Sequence, residues 1–382
     1  VTIFRRIPSD NQQGDGGLPS LSHEERTALQ DAVARLLADH SAESDVRRTM
    51  ETPSGFDPGL WRQLGEMGVV GLIVEDAYGG AGAGPLEIEA VMEVVGASLL
   101  CGPLLASGVL AAHLLQGLAD AEAKARLLPG IAAGTTIAAA ALTGDSGTWE
   151  ADGVAVTASP TGLLTGEASY VLHGQNADVL FVLARTSEGL AVYEVDPASS
   201  GVTVAGLPTF DHTLRLARIE FDAAAGRMIA GDAWRATEAA INLTLVGLAG
   251  EQAGGARRCL EFTVDYAKTR YQFGRAIGSF QAIKHMAADL LLETESATSA
   301  ARHAAAKLAE AAPDADAAVS LAAFACADAF VKTTADAVQM HGGIAFTWAH
   351  PAHLYLRRAR ADAQLFGASA VHRERFLTAL GA

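Results

Sequence analysis

The chain changes its hydrophobic period only twice, and that feature excludes most common architectures. Residues 1–130 carry helix-spaced apolar positions, and residues 231–382 return to long helical periods. Between them, residues 131–230 carry short apolar runs cut by Gly, Asp, Ser and Pro. A doubly wound sheet or an eight-stranded α/β barrel needs strands and helices that alternate one by one, and that alternation is missing. The expected fold is therefore multidomain α+β. It has an N-terminal helical domain over 1–130, a central antiparallel β domain over 131–230 and a C-terminal four-helix domain over 231–382. A chain of 382 residues with 50% hydrophobic residues is long enough to build two or three such cores.

Local signals support this division. Ser22 and Glu25 have capping-box spacing ahead of Leu29, Val33, Leu36 and Leu37, which share one helix side. Asp57-Pro58 is a cap followed by a first-turn proline, ahead of Leu60, Trp61, Leu64 and Met67. Further helices are expected over 85–116 and 120–129. Gly71 to Val74 and then Tyr78-Gly79-Gly80 read as a tight connection, without the strand–glycine–helix order of a dinucleotide fingerprint. Strands are expected near 136–142, 153–157, 179–184, 190–194 and 202–204, with an imperfect period of two at Leu214, Leu216 and Ile219. The late helices are expected over 233–268, 278–311, 315–340 and 351–380, broken at Pro313 and at Gly342-Gly343.

Charge narrows the partners. With 28 basic and 44 acidic residues, the formal charge of -16 disfavours nucleic acid and anionic membrane surfaces, while leaving room for a small basic pocket. Cys101, Cys259 and Cys326 are too widely spaced for a disulfide framework or a metal knot and read as ordinary thiols. His341, His350 and His353 lack a recognised ligand pattern, so no metal is expected. No secretory signal is legible at the N-terminus, and no uninterrupted apolar run reaches membrane-spanning length. A cytoplasmic protein is the expectation.

Two segments carry more specific information. One runs Tyr266-Ala267-Lys268-Thr269-Arg270-Tyr271-Gln272-Phe273-Gly274-Arg275 and on through Gln281 to Lys284. The other is Gln339-Met340-His341-Gly342-Gly343-Ile344-Ala345-Phe346-Thr347-Trp348. Taken alone, Arg270 reads as a solvated helix-end charge and the paired glycines as a helix cap; His341 reads as a structural or interface histidine. Together the segments resemble the two C-terminal signatures of acyl-CoA dehydrogenases, and Leu64 through Gly80 is similar to that family's N-terminal helical domain. The resemblance implies FAD held at subunit interfaces. Arg270, Gln272, Phe273 and Gln281 would meet the diphosphate region, and Gln339, Gly342 and Gly343 the adenosine-diphosphate side from a neighbouring subunit. It implies an acyl-CoA substrate, a 2-enoyl-CoA product and an electron-transferring flavoprotein or similar acceptor.

The chain departs from the family where a base is needed. Phe366, in Leu365-Phe366-Gly367-Ala368-Ser369, stands where the family commonly has a glutamate. The alternative location falls near Thr244, followed by Leu245 instead of an arginine. Neither Phe nor Thr readily abstracts an α-proton. Glu251 lies seven residues further on, about 10.5 Å along a helix, and packing or interface pairing is the preferred reading for it. Leu142 to Thr148 retains only part of the family's loop over substrate and flavin, and Tyr170-Val171-Leu172 replaces its Trp-Ile-Thr element. Ala349 stands where acids are frequent. The catalytic residue is therefore unknown. The pattern is similar to an actinobacterial branch built from two unequal chains acting on CoA esters of bulky, steroid-derived acids. The alternatives are a homodimer or homotetramer acting alone, a heterotetramer with a related base-bearing chain, and a non-enzymatic relative.

Overall fold

The computed structural model describes residues 21–381. The reading that residues 1–20 form no secretory signal lies outside them. The chain forms two compact units: Thr49–Gly84 with Cys101–Thr244, and Leu21–Arg48 with Pro85–Leu100 and 245–381. The early helices are α1 (His23–His40), α2 (Glu43–Met50), α3 (Pro58–Glu66), α4 (Pro85–Ala97), a π-helical stretch Leu104–Ala111 running into α5 (Ala112–Gly117), and α6 (Ala121–Ala132). Ser22 and Glu25 make the expected reciprocal capping box, and Asp57 caps α3 through the N–H groups of Gly59 and Leu60. The expected helix over 85–116 is interrupted, because Leu99 is left-handed (φ 47°) and Gly102-Pro103 follows.

The first unit holds the sheet. Its strands are β1 (Ala138–Ala141), β2 (Thr157–Ala158), β3 (Leu163–Leu172), β4 (Val179–Thr186), β5 (Gly189–Val195), β6 (Val202–Gly206), β7 (Leu216–Ala225) and β8 (Arg227–Ala230). Their order is β6-β7-β3-β2-β4-β5-β8, with β1 on β4. The sheet is mixed, which corrects the antiparallel expectation: β1 and β2 both run parallel to β4. The chain leaves β1, makes β2 and β3, and only then returns beside β1, so no hairpin reverses it. Leu164, Val171, Leu180, Val182, Ile219 and Phe221 form part of one buried core. Sequence alone missed β3, whose alternation is broken by register shifts between Leu164 and Gly166 and between Ala168 and Val171. Arg215 joins the sheet to earlier residues of the same unit by donating to the carbonyls of Met50 (2.7 Å) and Thr52 (2.8 Å).

The second unit is a helical bundle. Its main members are α7 (Trp234–Thr269, from Leu245 onward), α8 (Gln281–Ala309), α9 (Ala315–His341), α10 (Ala352–Asp362) and α11 (Ser369–Ala379). The helix expected over 351–380 is divided in two, because Phe366 (φ 59°) and Gly367 (φ 117°) leave helical geometry. Glycine lets α4 and α7 touch backbone to backbone. A Cβ on Gly254 would stand 1.8 Å from the Glu93 carbonyl oxygen, and one on Gly96 would stand 1.9 Å from that of Glu251. With the residues following it to Phe346, α9 is long and apolar enough to cross a membrane by length and composition, although Asp316, Asp328, Lys332 and Asp336 interrupt its apolar run. Yet 67% of that window is buried within the protein. Its alanines face neighbouring helices, which accounts for the hydropathy. All three cysteines are free and buried, as their spacing suggested.

Burial on α4 leaves a charge problem. Glu93 is satisfied by Arg257 (2.6 Å) and Arg302 (3.0 Å), but Glu89 is 4% exposed and its Oε1 lacks a partner. Desolvation, reinforced by Glu93, pushes its carboxyl up to about 8. The unfolded chain ionises this group near its ordinary value, whereas the fold holds it protonated up to about pH 8. Its cost to stability is therefore absent in acid and grows as pH rises between those values. Glu89→Gln is expected to leave stability unchanged near pH 4 and to raise it by a few kcal/mol at pH 8. Chemical denaturation across that range reads the difference; a gain independent of pH would contradict the assignment.

Candidate active site

The segments predicted to hold a nucleotide meet at one end of the helical unit. Gly274 and Arg275 follow a helix that ends at Thr269, so the chain reverses through a short hairpin. Its strands, β9 (Tyr271–Gln272) and β10 (Arg275–Ala276), pair antiparallel. Phe273 (φ 54°) and Gly274 (φ 79°) form its tip, the two successive positive φ values that a two-residue hairpin favours. Phe273 is 91% exposed, an unusual position for a phenyl ring without a covering partner. Phe280 sits edge-on to it at 6.2 Å and carries the Arg275 guanidinium at 3.9 Å over its face. Gln281 opens α8 and is exposed.

Arg270 lies between α7 and this hairpin. Its backbone is fixed, donating to the Tyr266 carbonyl and accepting from Ile277, each at 2.8 Å. Its side chain is exposed and has no carboxylate partner among the described residues. In a chain of charge -16, an unneutralised guanidinium on a rigid turn is an anion-binding feature.

The second segment sits beside the first. Met340 packs in one cluster with Leu260 of α7 and Leu290 of α8, flanked by Ile283 and Met286. Tyr266 stacks on His341 with ring centroids 4.4 Å apart. Gln339 is exposed in the last turn of α9, and that helix is capped by Gly342 at φ 68°, ψ -146°. A Cβ on Gly342 or Gly343 would meet nothing within 4 Å, so backbone is open to an incoming group there. Arg270, Gln272, Phe273, Gln281, Gln339, Gly342 and Gly343 are thus all exposed, on two segments held together through Tyr266–His341 and the Met340 cluster. These donors and open backbone fit a dinucleotide's diphosphate end.

The positions where a base is expected are closed. Phe366 is 1% exposed, and Leu245 is 2% exposed. Thr244 is fully buried, its hydroxyl donating 2.7 Å back to the Ala240 carbonyl of its own helix. Glu251, the remaining nearby acid, forms a buried ion pair with Arg358, which also donates to the Leu100 carbonyl at 3.3 Å. Arg358 is 3% exposed, so this pair holds its charge in the interior. His372 packs against the Gly367 turn and is held neutral, its pKa lowered to about 4 by burial.

In the first unit, the loop from Thr143 is bonded to itself. The Thr143 hydroxyl donates to Thr148 at 2.6 Å, and Asp145 accepts from Ser169 and from Arg218 (2.8 Å), which also pairs with Glu167. Tyr170, left-handed at φ 57°, lies in the β3 irregularity and reaches the Asp145 carbonyl at 3.3 Å. Leu172 is buried and offers no hydroxyl. No sequence rule foretold the Asp145–Arg218 pairing, because its members are far apart in the chain.

Comparison with known proteins decides the ancestry. Residues 231–381 match the acyl-CoA dehydrogenase C-terminal domain, and residues 23–135 match the acyl-CoA dehydrogenase N-terminal domain. The chain is 36% identical to acyl-CoA dehydrogenase IpdE2 of Mycobacterium tuberculosis over 90% of its own length and 93% of that protein's. It belongs to the acyl-CoA dehydrogenase family. Among solved structures, the ChsE4–ChsE5 complex of M. tuberculosis superposes with a TM-score of 0.87 at 29% identity, covering 94% of this chain and 98% of the other. The G363A variant of the steroid acyl-CoA dehydrogenase Tcur3481–Tcur3483 superposes at 0.84 with 26% identity, covering 94% and 98%. The order of helical region, central sheet and helical bundle is that of the acyl-CoA dehydrogenase fold.

Proposed function

We propose that this chain is a subunit of an FAD-dependent acyl-CoA dehydrogenase that completes the nucleotide site, while a related chain supplies the α-proton base. One contrast carries the reading: Arg270 is exposed and has no carboxylate partner among the described residues, whereas Phe366 fills a base position and Glu251 is committed to Arg358. Bound FAD would accept the substrate β-hydride while a carboxylate removes the α-proton, leaving a 2-enoyl-CoA. This chain's part is to bind and orient. The Arg270 guanidinium offers directed, charge-assisted donors to a diphosphate, with Gln272 and Gln281 adding amides beside it. Gly342 and Gly343 let backbone approach the adenosine-diphosphate side, where Gln339 adds a polar contact. Phe273 covers an apolar part of the same ligand. Phe366 is buried and moves no proton.

Two solved relatives are named as pairs of chains, and one of them is named a steroid enzyme, which supports an unequal assembly acting on a bulky acyl-CoA. Electrons would leave to an electron-transferring flavoprotein or similar acceptor. The cofactor role is tested by flavin-to-chain stoichiometry after desalting, for the chain alone and assembled with a base-bearing paralogue. Arg270→Ala is expected to weaken FAD retention about 10- to 100-fold without lowering the unfolding temperature, since it removes charged donors at an exposed position. Retention of FAD by the variant at wild-type level would remove Arg270 from the site. For substrate, anaerobic flavin bleaching by a panel of CoA esters should favour bulky over short linear acyl groups; the opposite order would refute that preference.

A further inference from the structure

The helical unit contains a cavity of about 560 Å³, within the range of small-molecule sites. It lies among α1, α2, the end of α4, α7 and the segment from His341 to Tyr355. Leu37, Val46, Phe262 and Leu354 supply apolar walls. Its polar lining includes Glu43, engaged by Arg47 at 2.7 Å, and Arg258, paired with Glu261 at 3.5 Å, together with His341 and His350, whose ring centroids are 4.4 Å apart.

Their hydrogen bonds fix which nitrogens carry protons. His341 Nδ1 stands 2.8 Å from the Ala337 carbonyl, which can only accept, so Nδ1 bears the proton and Nε2 is a bare acceptor. His341 is 5% exposed and its Nε2 has no partner. His350 is arranged the other way: its Nδ1 accepts from the Ala352 N–H at 3.2 Å, leaving the proton on Nε2 as a donor. Burial lowers the pKa of both rings, which keeps both neutral. A bare acceptor on one ring and a donor on its neighbour can both be met by a single hydroxyl, which donates to the first and accepts from the second. A carboxylate would satisfy His350 but repel the His341 lone pair. An unmatched buried acceptor is costly, so the cavity discriminates in favour of a ligand that supplies the donor.

We propose that this cavity, walled in part by Tyr266 and His341 of the nucleotide segments, is a second ligand site for a compact apolar molecule carrying a hydroxyl group. The Tyr266–His341 stack couples it physically to the helix end that bears Gly342, so occupancy stiffens the support of that turn.

The test uses the purified full-length assembly, with 2-naphthol as probe and 2-methylnaphthalene and 2-naphthoate as controls, titrated calorimetrically at pH 7.5. 2-Naphthol is expected to bind at least about tenfold more tightly than either control. His341→Phe should weaken 2-naphthol about tenfold while leaving 2-methylnaphthalene unaffected. Ala38→Phe, placed on an exposed residue at the cavity's edge, should block both neutral probes without altering FAD retention. It remains informative if His341→Phe fails to fold. No binding of 2-naphthol would overturn the proposal, as would affinity indifferent to Ala38→Phe. Equal binding of 2-methylnaphthalene would overturn the hydroxyl assignment, and tighter binding of 2-naphthoate would make the cavity an anion site instead.

Discussion

Mixed with a bulky acyl-CoA, the purified homomeric chain loaded with FAD is expected to reduce its flavin at least about 10²-fold more slowly than the same chain assembled with a glutamate-bearing paralogue. That factor is the low end of what a positioned general base contributes, and the side chains here explain its loss. Phe366 has no proton acceptor and is 1% exposed. The Thr244 hydroxyl donates its proton to Ala240, so its lone pairs lie in a buried helix interior. Single-turnover absorbance at the flavin band, with subunit composition fixed by mass spectrometry, gives the comparison. Rapid reduction by the homomer with stoichiometric enoyl-CoA would falsify the partner requirement. Glu251→Gln supplies the cross-check in the assembled enzyme. If Glu251 only pairs with Arg358, flavin reduction at low temperature keeps its wild-type rate. A drop of two orders of magnitude would make Glu251 the base.

Arg358→Met should destabilise the helical unit by about 3–5 kcal/mol, the cost of breaking a buried ion pair by removing one partner. Its guanidinium is buried against an equally buried Glu251, and removing it strands a carboxylate where Gly96 and α7 meet backbone to backbone. Desolvation of the surviving charge, more than the lost attraction, sets the magnitude. The double variant Glu251→Leu/Arg358→Met removes both charges and should recover most of the loss. Urea denaturation followed by circular dichroism measures all three proteins. Additive losses in the double variant would show that the two charges act independently, against the buried-pair account.

Local chemistry was legible in the sequence wherever a rule acts over a few residues. Ser22 with Glu25 and Asp57 with Pro58 become helix caps, since a cap is decided by groups three residues apart. Pro313 and Gly342 separate helices for the same local reason. The two C-terminal signatures were readable as contiguous strings, and that was enough to place the chain in its family. Tertiary structure decided what depends on distant partners. It brought β4 back beside β1, making the sheet mixed, and it drew strand β3 out of a segment whose alternation is broken by bulges. It split the last helix at Phe366–Gly367, where Gly367 takes φ 117° and Phe366, a residue with no preference for that region, takes φ 59°. That Glu251 is a packing or pairing acid and not a base was read from sequence, but its partner Arg358 lay beyond it because 107 positions separate them. The same holds for His341 and His350: their tautomers follow from which backbone groups the folded chain brings to each ring, and no spacing rule encodes that.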